Sequence, residues 1–251
     1  MIRLLALFCS VAVAAAATPA AADWSGYVSD GGSGPYTSVS ARWQVPSVTA
    51  DGLVNPGFES AYTWVGIGGY GELSLIQIGT IASAYYPTVS VNYLPFFTGL
   101  AYDGQAEVDL TIPYIVHAGD VMTASLTCTA LCTTGQTQTW LVNLTDVTAG
   151  WSYTNSVAYA SSLLTDEWIM ESAGGIPNYV QINFDRVAAN GANPAVLTPL
   201  QFSDPQGQTS NPSTMTGGNS FSTCYGVAPT YTPCTTGSIP GGNGGGRGRI
   251  F

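Results

Sequence analysis

Short runs in which apolar and polar residues alternate recur along the chain, at 37–43, 89–93, 106–112, 121–127, 137–144, 167–171 and 179–184. In the first of them Val39, Ala41 and Trp43 alternate with Ser38, Ser40 and Arg42. A period of two places every second side chain on the same face, as in a strand with one side buried. Gly, Pro, Asn, Asp and Ser cluster between the runs, where turns are needed, and helical spacing is nearly absent. Many short strands rich in Thr, Val, Tyr and Trp predict an all-β chain, folded as an antiparallel sandwich or barrel.

Both ends depart from this pattern. Residues 1–22 combine Arg3, an apolar run over 4–17 and the small-residue site Ala20-Ala21-Ala22, the layout of a secretory signal. The apolar run falls short of the roughly 20 residues of a membrane span. The chain is therefore expected to be exported, with no stable membrane association. Residues 236–251 are Gly-rich and predict a flexible tail. Between them, 23–235 contains no linker and reads as one domain. It begins directly after the leader, so activation by pH alone, without an N-terminal propeptide, is expected.

Charge narrows the partners. Fifteen acids against five basic residues give a formal charge of −10, and loss of Arg3 with the leader makes it one unit more negative. Such a chain repels nucleic acid and anionic membranes. It suits an acidic medium, where carboxylates near their ordinary pKa of about 4 shed part of that repulsion. Beyond the leader stand Cys128, Cys132, Cys224 and Cys234. An even count in an exported chain implies two disulfides, and spacing favours the local pairs 128 with 132 and 224 with 234 among three possible connectivities. With His117 as the only histidine, neither a metal nor another cofactor is expected. Asn143-Leu144-Thr145 is the usable glycosylation sequon, because Pro212 disqualifies Asn211.

The catalysts available can be reduced by elimination. A serine triad would have to recruit His117, and no Gly-x-Ser-x-Gly elbow exists. Neither Asp-Thr-Gly nor Asp-Ser-Gly occurs. Carboxylates and amides remain. In the segment 166–171, strand alternation puts Glu167, Ile169 and Glu171 on one face and Trp168 and Met170 on the other. Two such glutamates are a solvated strand face or a catalytic pair. A glycosidase would need its carboxyls about 5 to 9.5 Å apart, whereas positions i and i+4 of a strand stand about 13 Å apart. Sandwich glycosidases with Glu-x-Asp-x-Glu also have an acid where this chain has Ile169. A glycan-binding module on an aromatic-rich sandwich is the non-catalytic alternative.

Several motifs, in order, point further. Trp24-Ser25-Gly26-Tyr27, then Val39-Ser40-Ala41 with Val45-Pro46, then Trp64-Val65-Gly66-Ile67-Gly68-Gly69, Ile76-Gln77-Ile78-Gly79 and Glu167-Trp168-Ile169-Met170-Glu171 together resemble the eqolisins, the glutamic peptidase family. The likeness spans roughly 24–171 and fades beyond. It implies a lectin-like sandwich of two antiparallel sheets, a polypeptide substrate and a monomeric endopeptidase. It also implies Glu171 as catalytic acid and base, with Gln77 on an adjacent strand as the oxyanion donor. Glu171 would take a proton from the attacking water and pass it to the departing amine; Gln77 would donate from an amide that is neutral at every pH. Trp24, Trp64, Gly68, Asn92 and Glu167 would line the substrate cleft. Two positions depart from the family pattern: an aspartate is replaced by Gly68 and an acid by Asn92, with Glu72 and Asn92 as possible substitutes.

Overall fold

The computed structural model describes residues 23–32, 34–50, 52, 57–88, 90–102, 105–227 and 233–240; the leader at 1–22 and the Gly-rich stretch 241–251 lie outside them. No helix occurs among the described residues. Fifteen strands form two antiparallel sheets, as the alternation and the family likeness together required.

The first sheet, A, contains β1 (Trp24–Ser29), β3 (Gly57–Ile67), β4 (Ile76–Tyr86), β5 (Ser90–Gly99), β6 (Val108–Asp109), β10 (Asp166–Ala173) and β12 (Thr198–Leu200). Their order is β12-β1-β10-β3-β4-β5-β6. The second, B, contains β2 (Ser38–Gln44), β7 (Val121–Ala130), β8 (Gln138–Asp146), β9 (Trp151–Tyr159), β11 (Gln181–Ala189), β13 (Phe202–Ser203), β14 (Gln208–Pro212) and β15 (Phe221–Val227). Their order is β13-β14-β15-β11-β2-β7-β8-β9.

The main core lies between the sheets. Trp168, Met170, Val65 and Ile78 of sheet A meet Trp43, Met122, Trp140 and Phe184 of sheet B. Buried indoles carry a donor that needs a partner, and two of these donors tie the layers together. Trp43 Nε1 donates to Thr80 Oγ1 at 3.0 Å and Trp168 Nε1 to the Ser40 carbonyl at 2.9 Å. Phe184 stacks on Phe221 with centroids 4.7 Å apart. Sheet A also carries apolar residues on its other face, where Trp24, Val28, Trp64, Leu75 and Ile169 form a separate cluster.

Both expected disulfides are present, Cys128–Cys132 and Cys224–Cys234. The run at 106–112 yields only the two-residue β6, paired with Thr98 and Gly99 of β5. After Cys234 the chain crosses β11 and β15. Gln181 Nε2 donates to the Thr235 carbonyl at 2.8 Å, Gly237 N to Ser222 Oγ at 2.9 Å, and Ile239 is buried. Packing thus continues a few residues past position 235.

Candidate active site

The cross-strand register of sheet A locates the glutamates. Glu171 stands opposite Trp24 of β1 and Tyr62 of β3, whereas Glu167 stands opposite Gly66 of β3, which in turn faces Gln77 of β4. Directly opposed residues share a sheet face. Glu167, Ile169 and Glu171 therefore lie with Tyr62, Trp64 and Gln77 on the face away from the main core, and Trp168 and Met170 point inward, as the alternation of β10 dictates.

Glu171 is half-buried and held from one side. Trp64 Nε1 donates to Glu171 Oε2 at 2.9 Å, and Trp24 packs edge-on to Trp64 with ring centroids 4.9 Å apart. Gly66 makes this arrangement possible: a Cβ there would meet the Trp64 ring at 2.7 Å and Leu75 at 3.0 Å. The indole lies over the glycine, between the rows that carry Glu171 and Gln77. Burial pushes the Glu171 carboxyl up to about 7, and the Asp23 carboxylate adds to the rise. The Trp64 indole, which donates to it, pulls in the opposite direction, because a donor favours the ionised form.

Gln77 is buried apart from a small exposed part, and its Oε1 has no hydrogen-bond partner. It does not lie on a strand adjacent to that of Glu171, contrary to expectation: β3 runs between β4 and β10. No hydrogen bond joins the two side chains among the described residues. What they share is a face, with Trp64 in the row between theirs.

The other residues expected to line a cleft divide into distinct roles. Trp24 and Trp64 are 1% and 0% exposed, so they support Glu171 from beneath and present no wall to a substrate. Glu167 is also fully buried, and neither carboxylate oxygen has a hydrogen-bond partner. Burial pushes its carboxyl well above the usual range, and the Glu72 carboxylate raises it further. A fully covered Glu167 cannot reach a sugar, which argues against the glycosidase pairing with Glu171. Asn92 is exposed on β5 opposite Ser83, one same-face row beyond Tyr62 and Ile81. His117 is a turn residue whose backbone N–H donates to Asp120 Oδ2 at 2.7 Å.

Gly68 has a structural reason to lack a side chain. Its φ is +82°, and a Cβ would fall 2.0 Å from the Ser74 carbonyl oxygen and 2.9 Å from Glu72 Oε1. The Glu72 carboxylate thus occupies the space into which a side chain at 68 would project. It accepts from Ser74 Oγ at 2.8 Å and from the Ser162 hydroxyl.

Two contributors escaped the sequence reading. Asp23 raises Glu171 electrostatically and sits just before β1, where only the position of the leader drew attention. Tyr62 packs edge-on to Phe96 with centroids 5.6 Å apart and shares a row with Glu171, Ile81 and Leu94. These side chains make an accessible apolar strip beside the carboxyl, with Leu94 about half exposed. Alternation along β3 would have revealed Tyr62 beside Trp64. Among the described residues no group of three potential metal ligands comes together.

A half-buried carboxyl of raised pKa next to an apolar strip is suited to moving protons at a substrate held across the sheet. Comparison with curated proteins finds no match. Among solved structures, scytalido-glutamic peptidase with a peptide-based transition-state analogue superposes with a TM-score of 0.59 at 16% identity, covering 82% of this chain and 98% of that one. SCP-B, a member of the eqolisin family in complex with the tripeptide Ala-Ile-His, gives a TM-score of 0.57 at 16% identity with the same coverages. At such identity these likenesses establish the sandwich fold. The sequence profile of the Peptidase A4 family matches residues 22–225, nearly all of the two sheets, and the chain accordingly belongs to the peptidase A4 family, the eqolisins, and is a peptidase.

Proposed function

We propose that this peptidase is an exported endopeptidase that works in acid, with Glu171 moving the protons and Gln77 stabilising the oxyanion. The observation that carries this reading is the state of Glu171: an accessible carboxyl tied to an indole donor, with its pKa raised to about 7. Through the acid range it enters the reaction protonated. That alters the order suggested by sequence, in which the carboxylate began as a base.

As water adds to the scissile carbonyl carbon, Glu171 gives its proton to the carbonyl oxygen and receives one from the water. A neutral tetrahedral diol forms. Glu171 then protonates the nitrogen as the C–N bond breaks, and recovers a proton from one hydroxyl as the product acid forms. Gln77 donates its amide N–H to the oxygen on which charge develops, a role independent of pH.

The polypeptide then lies across the strip formed by Tyr62, Ile81, Leu94 and Phe96, on the face opposite the main core. Two disulfides and the leader-like 1–22 segment support export. The test is digestion of an unfolded protein by wild type and Glu171→Gln from about pH 3 to 8. Activity should fall as pH rises through about 7 and vanish in the variant. Full activity of Glu171→Gln would sink the proposal.

A further inference from the structure

The chain contains no lysine, and Arg42 and Arg186 are the only arginines among the described residues. Both converge on one recess of about 270 Å³ in the outer face of sheet B, with Thr123, Ser125, Asn143 and Thr145 as polar neighbours. In a chain with fifteen acids, this brings both described arginines to one site, where the Asp185 carboxylate offsets Arg42 and leaves one net positive charge, that of Arg186.

The backbone brings the second cation there by an irregularity. Along β11, Ile182 and Phe184 point into the core and Asn183 and Asp185 outward. Continued alternation would turn Arg186 inward and Val187 outward. Instead a bulge between Asp185 and Ala188 inserts one extra outward position, so that Arg186 is exposed and Val187 is buried. Arg186 takes a left-handed φ of 53°, a conformation that glycine or asparagine adopts more readily. An arginine under strain in mid-sheet suggests a use for its charge.

Arg42 is positioned differently. Its Nε and Nη2 donate to Asp185 at 2.7 and 2.5 Å, a bidentate pair that fixes the guanidinium and leaves its Nη1 end outside the pair. Asn143 is also fixed, since Nδ2 donates to Ser125 Oγ at 3.4 Å and Oδ1 accepts from Thr154 Oγ1 at 2.8 Å. The recess therefore offers guanidinium donors for a carboxylate, flanked by hydroxyls and an amide suited to sugar hydroxyls. Its aliphatic lining is confined to Ala41 and Ala124, and no aromatic residue lines it.

We infer that the Arg42–Arg186 recess is a second binding site, for a carboxylate-bearing polysaccharide such as a polyuronate. It lies on the sheet opposite the one that carries Glu171, so polymer and polypeptide would not compete. The site would retain the peptidase on an acidic matrix while the other face cleaves protein.

The experiment uses full-length protein exported to the bacterial periplasm, where disulfides form and Asn143 carries no glycan. Binding of an oligogalacturonate is measured calorimetrically at about pH 5, where ordinary carboxylates are ionised. Binding is expected to weaken by tenfold or more in Arg186→Gln, and steeply in about 0.5 M salt. Digestion of unfolded protein should be unchanged. Arg186→Gly relieves the left-handed strain, so it should be at least as stable to heat as wild type yet lose the ligand just as fully; retained binding in that variant would assign Arg186 a backbone role only. No binding, binding indifferent to Arg186, or equal binding to polyglutamate would each overturn the proposal, the last in favour of an acidic peptide.

Discussion

Trp64 donates its indole N–H to Glu171 over 2.9 Å while its ring lies against Gly66, so one fully buried side chain both orients the carboxyl and separates it from the row of Gln77. Because the donor stabilises the ionised carboxylate, Trp64→Phe should raise the Glu171 pKa further and move the alkaline limb of the pH–rate profile upward. A loss of about 10- to 100-fold in kcat is expected, since a charge-assisted hydrogen bond contributes about 1.5–3 kcal/mol. A fall in stability with an unmoved profile would show a purely packing role.

Burial raises several carboxyls, which predicts a protein more stable in acid than at neutral pH. Asp146 rises from 3.8 to about 6, driven first by burial and then by the neighbouring Asp120, and Glu171 from 4.5 to about 7; Glu167 and Asp166 are raised as well. A group whose folded pKa exceeds its unfolded value contributes stability that is fully present below the unfolded pKa and lost as pH rises through the folded one. The melting temperature should therefore be highest near pH 4 and fall across the interval from about 4 to 7. Equal melting temperatures at the two ends would contradict these shifts.

Gly68 offers a sharper structural test. Gly68→Ala forces a Cβ to within 2.0 Å of the Ser74 carbonyl oxygen at a φ of +82°, and should cost about 2–4 kcal/mol in denaturant unfolding. Restoring the family's aspartate should be worse, because Glu72 already fills the adjoining space. Removing Glu72 at the same time should rescue little, as the Ser74 carbonyl remains. Substantial rescue would mean that the carboxylate, and not the backbone, sets the constraint.

The strip beside Glu171 predicts substrate preference. Tyr62, Ile81, Leu94 and Phe96 should favour a bulky apolar side chain near the scissile bond. Leu94→Lys should lower kcat/KM for such peptides by about tenfold, with little change for peptides carrying small residues there. A uniform loss across a peptide library would argue against a side-chain subsite.

The sequence made β10 legible because its alternation is strong, and it correctly separated Glu167 and Glu171 from Trp168 and Met170. It could not tell depth. Glu167 and Glu171 occupy equivalent positions in the pattern, yet one is fully buried and the other only partly, because the residues that cover a sheet face come from elsewhere in the chain. Trp24 and Trp64 show the same limit: an apolar residue on the outer face of a sheet can lie beneath a second cluster as well as beside a cleft. β3 and β4 gave weak signals, since Gly66, Ala61, Gly79 and Ala82 replace the β-branched residues by which strands announce themselves. The run at 106–112 erred the other way, alternating well but finding only two partners on β5.

Strand β3 between β4 and β10 acts as a ruler. The distance from Glu171 to Gln77 is measured in backbone hydrogen bonds, through Tyr62 and Gly66 of one intervening strand, and no side-chain contact sets it. Exchanges of core side chains should leave that length untouched. A single-residue insertion in β3 would miscalibrate it at once, by turning Trp64 to the other side of the sheet and carrying away the residue that stands between the two rows.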